Sequence, residues 1–487
     1  MPDLSLIPNL ESLILKGCGN LHNIFSSIHN LDNLVVLNLR GCKNMDMLSI
    51  SPQCRSLREV ILSDCSNLKS ISYIPCAVEE LDLDGAAIEE LPSLEHLSRL
   101  RFLSLENCSE LKNLPESIRG CKSLEYLSLS DSSKLDRLPE GLGNLTALVE
   151  LKLEGISVRE VPPSIACLNN LERLSLARCT IENPLSLLPH DSSFLNKLVE
   201  LDLSHSSIKE LTSNIGQLRC LEELSIGRNN FESLPGTIKD LSELTWLDLS
   251  DCQRLKSLPE LPHKLTSLEA CGCISLEELS SVPTRVKGMW DWVTVNFNNC
   301  YKLKLHAKAL LNIQSDAVTW FHSKERESDM LEVQRHLHGS YVRGTIFYPG
   351  SEISDWFDFI SSESFIKLPT GCLNDNVIGF ALCVVSSPFP NGYLRSNAVA
   401  PTFDLFVDKK PIFRDMALYN EYSHNYVLKS DFDYVSIGFE FIILSELLTL
   451  SSNSEGFVNF FSLDDPFPPG KLKKCGVKLL YAKGNDL

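Results

Sequence analysis

The sequence has fewer basic than acidic residues, and this shortage limits the classes of partner that the protein can bind. Its 487 residues carry 45 lysines and arginines against 63 aspartates and glutamates, a formal net charge of −18. Proteins that bind nucleic acid through its phosphates need a basic surface. We therefore expect no nucleic-acid partner.

Long apolar runs are scarce as well. The most apolar late stretch, Phe439 to Leu450, is interrupted by Glu440 and Glu446 and is too short to cross a bilayer. Residues Met1 to Leu10 have neither the basic start nor the apolar segment of a secretory signal. We expect no membrane span and a cytoplasmic protein, with the nucleus as a further location.

Motifs of catalysis and cofactor binding are missing too. The sequence has no Gly-x-x-x-x-Gly-Lys-Ser/Thr phosphate loop and no Gly-x-Ser-x-Gly nucleophile elbow. Cys271 and Cys273 lack a second Cys or His pair at zinc spacing, and His336 and His338 have no further ligand nearby. We predict no catalytic residue, no cofactor and no metal site, and expect the chain not to be an enzyme.

What the sequence does contain is a repeat, seen most plainly from Leu100 to Pro115. Its apolar positions have the spacing of a leucine-rich repeat, a unit that must stack on copies of itself to bury its leucines. About twelve such units follow one another. Their first apolar residues are Leu10, Leu34, Leu57, Val78, Leu100, Leu124, Leu148, Leu171, Leu198, Leu221, Leu244 and Leu265.

A small side chain recurs five residues after the second leucine of many repeats. Cysteine, serine and asparagine can each hydrogen-bond loop backbone that would otherwise be unpaired. We interpret these residues as a structural ladder of reduced, packed side chains and not as disulfides or reactive thiols. Ser132 and Ser206 hold the position in two copies, and the other members are Cys18, Cys42, Cys65, Cys108, Cys179, Asn229, Cys252, Cys273 and Cys300.

Composition and periodicity divide the chain into three predicted segments. Residues 1–303 form the repeats and a closing strand, 304–340 a helical cap or linker, and 341–487 a β-rich domain. An insertion from Pro184 to Phe194 should bulge from the repeats. The predicted fold is an α/β leucine-rich-repeat solenoid with a parallel-sheet horseshoe, followed by an all-β antiparallel sandwich of jelly-roll or immunoglobulin-like type.

The β-rich domain shows short strand-like runs separated by Pro, Gly, Asn and Asp clusters. The predicted strands are Val342–Tyr348, Ser364–Leu368, Val377–Val385, Phe403–Val407, Tyr426–Lys429, Tyr434–Phe441, Phe457–Ser462 and Cys475–Tyr481.

The candidate binding residues lie between the leucines of the repeat strands, because a stacked parallel sheet shows these side chains in columns on its concave face. Phe102, Tyr126 and Trp246 stand there as interface anchors or as side chains stacked on neighbouring columns. The face is mainly acidic from the fourth repeat on, either as a solvated surface or to steer a basic partner. Its charged candidates are Glu80, Asp82, Glu106, Glu150, Arg173, Glu200, Asp202, Glu223 and Asp248.

Motifs in both halves carry a resemblance to one family, and they are Phe297–Cys300, Tyr348–Phe357, Ile378–Cys383, Phe439–Phe441 and Lys474–Tyr481. The chain is similar to the C-terminal part of plant TIR-type nucleotide-binding leucine-rich-repeat disease resistance proteins, namely their repeats and the jelly-roll or immunoglobulin-like domain after them. Ser354 stands where that family tends to have proline.

The resemblance implies a non-catalytic module that senses a pathogen effector, or a host protein that an effector modifies, and controls defence signalling. It also implies contact with a nucleotide-binding switch domain or a paired receptor. Two alternatives stay open. The chain is a truncated receptor that acts in trans as a decoy or negative regulator, or it is a fragment of a receptor whose TIR domain, absent from this sequence, hydrolyses NAD.

Overall fold

The computed structural model describes most of the repeats and the core of the β-rich domain. Its contacts form two compact units, residues 1–229 with 240–243, and residues 230–239 with 244–487. The predicted insertion Pro184–Phe194, the predicted strand Tyr426–Lys429 and most of segment 304–340 lie outside the described residues. Those are residues 7–22, 28, 31–158, 160–179, 195–280, 282–283, 293–304, 310, 313, 315, 317, 344–374, 376–386, 401–417, 434–441, 455–462 and 472–481.

Each repeat of the first unit contributes one three-residue strand. Side chains alternate along a strand, so the middle residue, such as Leu81, enters the core while its neighbours Glu80 and Asp82 lie on the opposite face. The strands pair in parallel without slippage, and Phe102 lies opposite both Glu80 and Tyr126. They are Ser12–Ile14, Val36–Asn38, Glu59–Ile61, Glu80–Asp82, Phe102–Ser104, Tyr126–Ser128, Glu150–Lys152, Arg173–Ser175, Glu200–Asp202 and Glu223–Ser225.

The return segments of the repeats contain 3₁₀ helices and very short strands. Pro115, Pro139 and Pro162 immediately precede three of these helices, because a fixed φ near −65° suits the approach to a helical turn. The helices are Glu116–Gly120, Glu140–Asn144, Pro163–Cys167, Ser213–Gln217 and Gly236–Asp240, and the short parallel strands are Met47–Leu48 with Ser70–Ile71 and Ser257–Leu258 with Glu278–Leu279.

A left-handed residue follows the strand in every repeat. It turns the chain out of the sheet, and in most copies its N–H donates to a carbonyl of the next repeat, as Gly155 does to Ala177 at 2.8 Å. Glycine, asparagine and aspartate tolerate this conformation best. The residues are Gly17, Gly41, Asp64, Gly85, Asn107, Asp131, Gly155, Arg178, His205, Arg228, Asp251, Gly272 and Asn299.

In the second unit the repeat sheet continues into the β-rich domain. The strands Trp246–Asp248, Ser267–Glu269 and Val293–Asn296 pair in parallel, and Gly344–Pro349 then adds to the last of them, also in parallel. The Phe297 N–H donates to the Phe347 carbonyl at 2.7 Å beyond this pairing. Of the predicted helical segment, Leu310, Ile313 and Ala317 are helical and buried.

The β-rich domain is a sandwich of two sheets. Beyond Gly344–Pro349, one sheet continues antiparallel through Tyr434–Phe441, Val377–Ser386, Leu472–Tyr481 and Phe359–Ser361. The other sheet orders Phe365–Leu368, Gly456–Ser462, Pro401–Val407 and Lys410–Ala417.

Phe380 and Phe403 meet edge to face between these sheets, with ring centroids 5.7 Å apart. The predicted fold class, a parallel repeat solenoid followed by an antiparallel sandwich, is confirmed. The strands Phe359–Ser361 and Lys410–Ala417 were not predicted, and the last repeat strand and the sandwich share a sheet where the sequence indicated only separate segments.

Candidate protein-binding surface

The strand surface of the first unit is the row of side chains that flank the buried middle residue of each strand, together with those two residues past the strand. The in-register sheet brings ten of the predicted binding residues onto this surface. Trp246 and Asp248 hold the equivalent places in the second unit, opposite Ser267 and Glu269. The ten are Glu80, Asp82, Phe102, Glu106, Tyr126, Glu150, Arg173, Glu200, Asp202 and Glu223.

Two aromatic rings form the apolar centre of the strand surface. Phe102 and Tyr126 stack with their centroids 4.6 Å apart and their planes 5° from parallel. The Lys152 ammonium lies 5.5 Å from the Tyr126 centroid, within the range of a cation–π interaction. Both rings are half-buried, so they hold each other in place while part of each remains accessible.

Glu150 joins the two basic residues next to this aromatic pair. Its carboxylate accepts from Arg173 Nε at 2.9 Å and lies 3.1 Å from Lys152 Nζ, and its side chain is only 17% exposed. Burial alone would raise its pKa, but the hydrogen bonds from Arg173 and Lys152 hold the pKa of Glu150 below its usual value. These three charges therefore largely satisfy one another.

Carboxylates on the other side of the aromatic pair form hydrogen bonds with serines. Asp84 accepts from the Ser104 hydroxyl at 2.6 Å and from the Glu106 N–H at 2.8 Å, and burial raises its pKa. Glu106 accepts from the Ser128 hydroxyl at 2.8 Å and the Tyr126 hydroxyl at 3.4 Å. The carboxylates are thus held in place by neutral donors, which leave their negative charge uncancelled.

A second acidic region lies toward the end of the first unit. Glu200 and Glu223 are register neighbours on adjacent strands, and Asp202 accepts the Ser204 N–H at 2.8 Å. Burial, followed by repulsion from Glu223, raises the pKa of Glu200. The surface therefore carries negative charge on both sides of the Lys152, Glu150 and Arg173 group.

Arg178 is a surface residue that the sequence reasoning missed. It holds a left-handed position, and its guanidinium bridges Asp131 at 3.2 Å and Glu154 at 3.4 Å across preceding repeats. The available signal was an arginine in a slot that most other repeats fill with glycine, asparagine or aspartate.

The predicted ladder residues mostly donate to a carbonyl of the preceding repeat. Cys108 Sγ lies 3.2 Å from the Leu83 oxygen, and burial raises the pKa of its thiol to about 12, so it stays protonated. Cys252 is buried as well. The other residues whose side chains donate to a carbonyl of the preceding repeat are Cys42, Cys65, Ser132, Cys179, Ser206, Asn229, Cys273 and Cys300.

Cys18 departs from the predicted ladder, because its side chain is exposed. The described residues contain no repeat strand before Ser12–Ile14 whose carbonyl it could meet. Cys54 and Cys121 form an unpredicted second row, with sulfurs 3.6 Å from the Ile28 and Leu94 carbonyls. They stand three residues before the first leucine of a repeat, where most copies carry leucine.

Among the residues that the structure describes, no three His, Cys, Asp or Glu side chains are grouped so as to hold a metal ion. Nor is any helix among those residues long and apolar enough to cross a membrane.

Family models match both parts of this architecture. A leucine-rich repeat region matches residues 77–201, a leucine rich repeat model matches residues 196–253, and the C-JID domain matches residues 348–486. The chain thus contains leucine-rich repeats followed by a C-JID domain. Both are recognition domains and not catalytic ones.

Its relatives in Arabidopsis thaliana are disease resistance proteins. Disease resistance-like protein DSC1 is 32% identical over 98% of this chain and 40% of that protein. Disease resistance protein RPP2B is 35% identical over 78% and 32%, and disease resistance protein RPS4B is 28% identical over 94% and 35%. The chain spans about a third to two fifths of the length of these relatives. The resemblance to plant disease resistance proteins is confirmed.

Proposed function

We propose that this chain is the protein-recognition module of a plant intracellular immune receptor. It binds a pathogen effector, or a host protein that an effector has modified, and binding controls defence signalling. The observation that carries the proposal is the stacked pair of Phe102 and Tyr126 amid charged side chains on the strand surface. The disease resistance relatives support the same biological role.

The aromatic pair suits protein recognition for an energetic reason. Binding costs free energy when mobile side chains are ordered, and rings that already stack have lost much of that freedom. Large aromatic side chains also bury much area per residue and dominate many interfaces. Mixed charges around the rings would form the polar rim and select among partners.

The proposal includes location and regulation. The module works in the cytoplasm or nucleus, where effectors and their host targets meet it. A nucleotide-binding switch domain or a paired receptor is a further partner, and the mainly acidic strand surface would complement a basic surface on either. For binding to activate the receptor, the effector must favour the active state over the inactive one.

Capture of candidate effectors by the purified chain tests the proposal. Phe102→Ala, Tyr126→Ala and Trp246→Ala should each weaken capture, by about tenfold or more where the residue is an anchor. Tyr73→Ala is the matched control, since Tyr73 stacks on His96 with centroids 5.1 Å apart and lies outside the strand surface. Unchanged affinity in all three surface variants would contradict recognition through these residues.

A further inference from the structure

We propose that the free face of Phe102, together with Glu80 and Asp82, receives an arginine side chain of the protein partner. This inference rests on the proposed function and specifies the chemistry of the partner. It follows from the order of side chains across four neighbouring strands, Glu80–Asp82, Phe102–Ser104, Tyr126–Ser128 and Glu150–Lys152.

The two faces of the Phe102 ring have different surroundings. One face is covered by Tyr126, which is stacked 4.6 Å away and nearly parallel. The opposite face is turned toward the preceding strand, where Glu80 is the register partner of Phe102. Neighbouring strands lie about 4.8 Å apart, so Glu80 stands roughly one stacking distance from Phe102 along the row.

The same row of side chains already contains one cation–π contact. Lys152 places its ammonium 5.5 Å from the Tyr126 centroid, so one outer face of the aromatic pair already has a cation. No cation–π contact of Phe102 is found among the described residues. The outer face of Phe102 is the equivalent place at the other end of the stack.

Negatively charged side chains lie next to the outer face of Phe102. Glu80 is exposed, and Asp82 lies on the same side of the same strand. Within the described chain the nearby guanidiniums are engaged elsewhere. Arg101 donates to Glu125 at 3.0 and 2.9 Å, and Arg58 pairs with Glu79. The hydrogen bonds of Arg101 go to Glu125, and Arg101 has only a weaker Coulombic interaction with Glu80.

Arginine fits this place better than lysine. Its planar guanidinium can lie flat on the Phe102 ring while its edge donates two parallel hydrogen bonds to a carboxylate such as Glu80. An ammonium can make a cation–π contact but offers no flat edge for the second interaction. The partner is thus expected to present an arginine from a basic segment that the acidic strand surface also attracts.

Peptide titrations of the full chain test the inference. The probes are three peptides of sequence Gly-Ser-Gly-X-Gly-Ser-Gly with blocked termini, in which X is arginine, lysine or the neutral analogue citrulline. Broadening of the peptide NMR signals at low salt gives each affinity. We expect arginine to bind about tenfold more tightly than citrulline, with lysine between them, as one cation–π contact and one ion pair would give.

Three variants separate the site from general charge attraction. Phe102→Leu keeps an apolar side chain but removes the ring, and Glu80→Gln removes one charge at constant shape. Each should reduce the preference for arginine over citrulline by about threefold or more. Glu95→Gln removes the same charge away from the strand surface, where Glu95 pairs with Arg119, and should leave the preference unchanged.

The outcomes distinguish this inference from the proposed function. Equal binding of arginine and lysine peptides, or a preference that Phe102→Leu does not reduce, would show nonspecific attraction and overturn the arginine site. If effector capture still falls in Phe102→Ala and Tyr126→Ala, the recognition module stands without it. Arginine-selective binding together with unaltered effector capture would instead support the site and contradict the proposed use of this surface.

Discussion

A single left-handed residue in each repeat shows how the local backbone limits the sequence. Most repeats place glycine, aspartate or asparagine there, whereas Arg178, His205 and Arg228 occupy it in three successive copies. Placing a residue other than glycine in this left-handed conformation costs about 1 kcal/mol or more of stability. In the case of Arg178, its bridge to Asp131 and Glu154 offsets part of that cost.

Substitutions of two of these glycines should differ in a defined way. Gly85→Ala should cost about 1 kcal/mol through its positive φ alone, since the nearest atom to the new methyl would be 3.6 Å away. Gly155→Ala should cost about 2 kcal/mol, because its methyl would also overlap the Asp131 carboxylate that binds Arg178. Urea denaturation measures both free energies of unfolding.

Gly236→Ala provides the control. Gly236 does not have a positive φ, and no atom lies within 4 Å of the added methyl, so its effect should stay within about 0.5 kcal/mol. If Gly85→Ala and Gly155→Ala prove equally costly, the overlap with Asp131 does not contribute.

At the scale of the repeat element, the ladder residues connect one turn to the next. Asn229 does this through its side-chain amide: the oxygen accepts from the N–H groups of Ser206 and Ile208, and the nitrogen donates to the Leu203, Ile226 and Gly227 carbonyls. All of these backbone groups belong to buried residues. An element thus depends on a side chain supplied by the following repeat.

Replacement of Asn229 should therefore be costly for a polar-to-alanine change. Asn229→Ala leaves several buried backbone groups without a hydrogen-bond partner. The change should lower the free energy of unfolding by about 3 kcal/mol. Asn229→Ser should cost less, because Ser206 holds the same position one repeat earlier and donates to the Leu176 carbonyl at 2.9 Å. Thermal denaturation checks the order.

Asn169→Ala is a suitable comparison, since Asn169 is exposed and the change should stay within about 0.5 kcal/mol. A loss in Asn229→Ala as small as in Asn169→Ala would contradict the structural role of the amide.

The sequence was sufficient to predict the repeat elements, because the leucines that each repeat must bury recur at a fixed spacing. Eight of the predicted binding residues each begin a repeat strand, namely Glu80, Phe102, Tyr126, Glu150, Arg173, Glu200, Glu223 and Trp246. Stacking on neighbouring columns was one of the two interpretations of Phe102 and Tyr126, and these two rings do stack. Which partner each ring takes, and the contact of Tyr126 with Lys152, could not be predicted, since they depend on side-chain rotamers across three repeats. The cysteine pattern found Cys108 but missed Cys54 and Cys121, because cysteine replaces leucine there and leaves no periodic mark.

At the scale of the whole molecule, the sheet shared by Val293–Asn296 and Gly344–Pro349 joins the last repeat strands to the sandwich within one compact unit. The sequence did not predict this pairing, because Val293 and its partner Gly344 are far apart and no local pattern specifies their register. Gly344 is also the register partner of Phe439 on its other side, so it lies between two strands.

A methyl group at Gly344 should disturb this whole unit. It would overlap the ring of Phe439, which is fully buried, and overpacking of this kind costs about 1–3 kcal/mol. Hydrogen exchange in Gly344→Ala should show faster exchange of the amides in both Ser267–Glu269 and Tyr434–Phe441, because the two strands belong to one sheet.

Gly350→Ala, with its nearest atom at 3.4 Å, should leave both sets of amides protected. If Gly344→Ala loosens only Tyr434–Phe441, the repeats and the sandwich are not energetically coupled through this strand.

The distance along the chain between these partners has a consequence for synthesis on the ribosome. Val293 must wait for Gly344, 51 residues later, whereas an ordinary repeat strand such as Phe102–Ser104 meets Tyr126 after only 24. At about 5–20 residues per second, the edge of Val293–Asn296 stays open for roughly 3–10 s. An unpaired edge strand invites pairing with other chains. We therefore expect the nascent chain to be open to pairing with other chains during this interval.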